Sequence, residues 1–181
     1  MLWSTMTDHW SMRRAAISIV LSAFLLYAAA CDPLTGTGPG TPPDPTTFLR
    51  ADPSARTAIL TLIAGYPATD YQFNYDGYGS GSLVITIPVG WEVTVQCENH
   101  STVPNSCAVV AGKGDTQPLE PGWSTPEPAK GLAPGGSAAF VFTPTKPGSY
   151  RIASLVVGSE ASGMWADLEV SDGGQAGIRA G

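Results

Sequence analysis

Side chains able to hold a transition metal, or to run nucleophilic chemistry, are few in this 181-residue chain. Beyond residue 31 it has one histidine, His100, one methionine, Met164, and two cysteines, Cys97 and Cys107. The stretch SLVVGSEASGMW, residues 154–165, nevertheless has the outline of a metal-binding loop. Ser154, Ser159 and Met164 stand at equal spacing in it, between two strand-like runs. A neutral hydroxyl is a poor ligand for copper beside a thiolate or an imidazole, and a site of two imidazoles and one thiolate cannot be assembled from one histidine. A hydrolase would need Ser154 or Ser159 to meet His100 and an acid such as Glu160 or Asp115. The chain has no G-x-S-x-G elbow, and a serine beside glycine is commonly just a turn residue. Asp70, Asn74 and Asp76 offer oxygen ligands without the EF-hand spacing, so calcium is unsupported.

The elements that must position these residues read as strands. Thr57–Ala64 is rich in β-branched residues and ends at Gly65. Residues 82–88 and 91–97 flank the turn Val89-Gly90. The second alternates, with Val93, Val95 and Cys97 on one face and Glu92, Thr94 and Gln96 on the other, as in a half-buried strand. Residues 107–111 form a short fourth strand. From Gly112 to Gly136 the chain carries Pro118, Pro121, Pro126, Pro128 and Pro134, so neither a central strand nor a long helix runs through it. Three further strands follow, at 138–143, 150–157 and 164–170. About seven short strands with Gly/Pro turns indicate an all-β, antiparallel Greek-key sandwich. Phe140 and Phe142 share a core face, Trp91 and Trp165 begin strands, and Trp123 lies in the Pro-rich loop as a possible exposed contact.

Composition agrees with this architecture. Charged residues are 13% of the chain against 21 Gly and 16 Pro, which suits a turn-rich β domain. A net charge of −6 without a dense Lys/Arg face excludes a nucleic-acid partner.

Residues 1–31 read as a targeting segment: Arg13-Arg14, then AAISIVLSAFLLYAAA, then Cys31. Translation from Met12 rather than Met1 would give a more ordinary signal. The Ala-Ala-Ala-Cys31 end resembles the lipobox of bacterial lipoproteins, in which the cysteine is lipidated. Cleavage by an ordinary signal peptidase and an uncleaved anchor are the alternatives. Residues 32–55, starting DPLTGTGPGTPPDPTT, read as an extended Pro/Gly/Thr-rich linker, 56–172 as the folded domain, and 173–181 as a flexible tail. The expected location is the cell envelope, outside the cytoplasm, on a membrane through the lipid anchor. In that oxidising space a Cys97–Cys107 disulfide is the natural pairing if the α-carbons come within about 7 Å; two free buried thiols are the alternative.

The segments FNYDGYGSGSLVITIPVGWEVTVQCEN, VPNSCAVV and FTPTKPGSYRIASLVVGSEASGMWADLEVS together resemble the C-terminal domain of sulfocyanin, a blue copper protein of the cupredoxin fold. The resemblance runs from about Thr57 to Ser171 and implies an exported cupredoxin-type sandwich carrying single electrons on copper. In that family the ligands are a His within Pro-His-Ser, then Cys, four residues, His, four residues, Met. The matching positions are Asn105, Ser154, Ser159 and Met164, so the resemblance keeps the loop length and only the methionine. Two readings follow. One is a non-catalytic binding or structural module, with no cofactor, that serves an unknown protein or small ligand. The other is a copper-binding electron carrier with a rebuilt site that draws in His100 and Cys107 beside Met164.

Overall fold

The computed structural model describes residues 41–66 and 72–181. The targeting segment, Cys31, the first part of the expected linker and Asp70 lie outside the described residues.

A 3-10 turn at Pro45–Phe48 leads into nine strands: β1 (Leu49–Asp52), β2 (Thr57–Ala64), β3 (Leu83–Pro88), β4 (Glu92–Asn99), β5 (Ala108–Val110), β6 (Ser137–Phe142), β7 (Gly148–Ala153), β8 (Trp165–Ser171) and β9 (Gly177–Ala180). They form two sheets, in the orders β1-β2-β4-β6 and β5-β7-β8-β3-β9. Alternation explains the first sheet. β2 buries Ala58, Leu60, Leu62 and Ala64, and β4 buries Val93, Val95 and Cys97, while the intervening side chains face outward. The register sets Val95 beside Leu60 on one side and Phe140 on the other. β3 is buried along nearly its whole length because it lies between β8 and β9 and against the opposite sheet. The inner faces meet in one core that includes Phe142, Ile152, Met164 and Leu168.

Three expectations are corrected. The sandwich is mixed rather than antiparallel: β2 pairs with β4 and β3 with β8 in parallel. The chain crosses from β2 to the other sheet for β3 and returns for β4, and each crossing reverses its direction. Residues 45–55 are not linker. Asp44 caps the 3-10 turn by accepting the Thr46 N–H at 2.9 Å, and β1 pairs with β2 from Leu49 to Asp52. Residues 173–181 are not a free tail, since β9 pairs with β3 and buries Ile178.

Beyond Leu49, where β1 begins, the outer edge of β2 is completed by an elbow at residues 74–78. Asp76 accepts the Ile63 N–H on Oδ1 at 2.8 Å and donates its own N–H to Ile63 O at 3.0 Å. A side-chain carboxyl thus does the work of a neighbouring strand's carbonyl. Burial pushes the Asp76 pKa up to about 8, with Glu98 adding to the effect, and Oδ2 has no hydrogen-bond partner.

Candidate functional site

The loop 154–164 joins β7 to β8, which are paired up to Ala153 and Trp165. Backbone bonds close it: Ser154 N–H donates to Met164 O at 3.1 Å, Met164 N–H to Ser159 O at 3.0 Å, and Ser159 N–H to Val156 O at 3.0 Å. Outside the loop, Arg151 of β7 holds it in place. Its guanidinium lies 3.6 Å from the centroid of the Trp165 ring, and Nη1 is 2.8 Å from Glu160 Oε1. Glu160 Oε2 also accepts the Gly114 N–H at 2.9 Å. Trp165 can seat itself only because position 81 is glycine: a Cβ there would stand 2.2 Å from Trp165 Cζ3, at φ +79°.

The segment Pro104-Asn105-Ser106 packs on this loop. Ser106 N–H donates to Ser154 Oγ at 3.1 Å, and Leu155 N–H donates to Ser106 Oγ at 2.9 Å. Asn105 pairs through its backbone with Leu132, at 3.2 and 2.7 Å. The fold therefore brings Asn105, Ser154, Ser159 and Met164 into one connected, buried set, none more than 3% exposed. Asn105 Nδ2 donates to Ser101 Oγ at 2.7 Å, while its Oδ1 is buried with no partner.

Chemically this set is one amide, two hydroxyls and a thioether, which does not fit a blue copper centre. The residues that could complete one are committed elsewhere. His100 is on the surface, with Nε2 3.0 Å from Glu98 Oε2. Cys97 and Cys107 form a disulfide with Cα atoms 6.2 Å apart, the pairing expected from the sequence. That bond ties β4 of one sheet to the start of β5 in the other.

A nucleophilic triad is not assembled either. Ser154 Oγ meets Ser106, His100 meets Glu98, Glu160 meets Arg151 and Gly114, and Asp115 accepts the Gly112 N–H at 2.9 Å. Trp123, the candidate contact of the Pro-rich loop, packs on Phe142 with ring centroids 5.6 Å apart. Its loop folds back along β5, where Val109 N–H donates to Trp123 O at 2.9 Å.

Two residues that organise the site escaped the sequence reading. Asn99 is fully buried: Nδ2 donates to Val103 O and Leu132 O, both at 2.8 Å, and Oδ1 accepts the N–H and hydroxyl of Ser101. The available signal was its parity, since Asn99 continues the inward series Val93, Val95, Cys97 and so places an amide on the core face. Arg151 is the other, a cation on a strand with an acid nine positions later. Nothing in the one-dimensional pattern marked their meeting.

Comparison with known proteins gives the lineage. The sulfocyanin (SoxE) domain matches residues 45–176. Sulfocyanin of Sulfolobus acidocaldarius is 32% identical over 132 residues, covering 66% of this chain and 66% of that protein. Two crystal structures of rusticyanin variants superpose with TM-scores of 0.52 and 0.51, each at 19% identity over 64% of this chain and 78% of theirs. Reduced auracyanin from Roseiflexus castenholzii aligns at 24% identity and a TM-score of 0.48, over 67% of this chain and 99% of that one. The rusticyanin superpositions agree with the two-sheet sandwich already described. The sulfocyanin domain match begins in the turn before β1 and runs to the residue before β9, so this chain belongs to the sulfocyanin family.

Proposed function

We propose that this member of the sulfocyanin family has lost type 1 copper and acts as an exported, lipid-anchored binding or structural module, neither an enzyme nor an electron carrier. One observation carries the reading. At the four positions that match the family's ligands the chain has Asn105, Ser154, Ser159 and Met164, and Ser154 Oγ is engaged by the Ser106 N–H at 3.1 Å. His100 in its contact with Glu98, and Cys107 in its disulfide, weigh against a site rebuilt from those two side chains. The targeting segment ending at Cys31 supports export and a lipid anchor.

The test is to load the protein with Cu(II), remove excess metal, and combine metal analysis with a visible spectrum. A colourless protein without stoichiometric copper is expected. One copper per chain with an intense band near about 600 nm would show that the family's electron-carrying site persists in altered form. For the anchor, Cys31→Ala should abolish lipid labelling and release the protein from membranes; unchanged membrane association would rule the anchor out.

A further inference from the structure

A cavity of about 260 Å³ opens between the two sheets, and none of its lining residues belongs to the 154–164 loop. Its floor is apolar and drawn from both sheets: Phe142 of β6 faces Leu168 and Val170 of β8. Facing sheets ordinarily interdigitate until such a gap is filled. Here β5 is only three residues long, and the Trp123 loop and the 144–146 turn wall the gap without filling it. Trp123 is braced against Phe142, and the Tyr150 hydroxyl donates to Lys146 O at 3.2 Å, which fixes the turn at the mouth.

Size and charge define an occupant. A dry apolar cavity of about 150 Å³ is enough for benzene, so this one is large enough for two fused rings. Lys146 lines the cavity, is exposed, and makes no ion pair among the described residues. Glu120 also lines it, which disfavours a second negative charge on a ligand. We propose that the cavity binds a small planar aromatic molecule of two fused rings bearing one carboxylate, with its rings against Trp123 and its carboxylate at Lys146. The long-range repulsion from a chain of net charge −6 is screened beyond about 8 Å at physiological salt, which leaves Lys146 and Glu120 as the charges acting at the cavity.

The probe is 2-naphthoate, titrated into the full chain by calorimetry and by tryptophan fluorescence, with 2-naphthylmethanol and 2-naphthylmethylammonium as the neutral and cationic congeners. Saturable one-to-one binding of the carboxylate is expected, with a change in emission that Trp123→Leu removes. Lys146→Ala, an exposed change that leaves the core intact, should weaken 2-naphthoate about five-fold and leave the alcohol unchanged, the size of a solvent-exposed charge contact. Absence of saturable binding would overturn the proposal. So would ammonium binding as tight as the carboxylate, or an affinity for 2-naphthoate indifferent to Lys146→Ala. No arm uses metal, so the outcome is independent of the copper experiment.

Discussion

Breaking the Cys97–Cys107 bond gives the sharpest quantitative test of how the site is held. The bond closes a loop of 10 residues in sequence separation, and within that loop lie Asn99, Ser101, Asn105 and Ser106. Loop-closure entropy for such a ring comes to about 9 cal/mol/K, or about 2.7 kcal/mol at room temperature, acting mainly by restricting the unfolded chain. For a domain of this size each kcal/mol moves the midpoint by about 3 to 4 °C, so reduction should lower Tm by about 10 °C. The assay is a thermal melt followed by near-UV circular dichroism, oxidised against reduced and alkylated, with Cys97→Ala/Cys107→Ala as the covalent control. Both cysteines are buried, so the double alanine variant should lose somewhat more through packing. A reduced protein melting within about 2 °C of the oxidised one would refute the loop-closure reasoning. A loss above about 5 kcal/mol would refute it in the other direction, by showing that the bond mainly holds the native sheets together.

Three further outcomes follow from the geometry. Arg151→Ala removes both the stacking on Trp165 and the ion pair with Glu160, whose side chains are 20% and 17% exposed; about 2 kcal/mol should be lost in urea unfolding, and Arg151→Lys should restore only part of it. Asp76 binds its proton more tightly folded, at about 8, than unfolded, at 3.8, so its stabilising effect is full below the unfolded value and declines as pH rises towards 8. Asp76→Asn keeps an acceptor for Ile63 N–H and should flatten that decline in chemical denaturation series across this range; a parental curve that rises between pH 5 and 8, roughly, and is unchanged by the substitution would contradict the assignment. Asn105→His with Ser154→Cys and Ser159→His, in the presence of Cu(II), should produce a thiolate-to-copper band near about 600 nm, because Met164 and the loop spacing are kept; a colourless variant that still folds would show that the loop no longer has the family's geometry.

Much of the fold was legible because period-2 alternation is a local signal. Thr57–Ala64 appears as a strand with the expected ends, and the inward set Val93, Val95, Cys97 is the buried set. The strands that escaped notice, β1 and β9, are four residues each, and each has at most one buried side chain, so neither carries a hydrophobic pattern. Their existence depends on neighbours already in place: β1 on the exposed edge of β2, and β9 on that of β3. Parallel pairing was also invisible, because it is a property of where the chain crosses between sheets. At the site, the inventory of donors could be read directly from residue types. The contact of Ser106 with Ser154, 48 positions apart, could not, since it exists only after β5 has paired with β7.

The loop between β7 and β8 is closed by main-chain bonds from Ser154 to Met164 and from Met164 to Ser159, none of which requires a particular side chain at positions 154 or 159. Its main-chain closure therefore does not depend on which side chains stand at those two positions. If the copper ligands were lost as proposed, such closure would let them change one at a time without unfolding the protein, and the same indifference would keep the way back short. The loop amounts to a preserved mould, open to whatever chemistry three substitutions would bring.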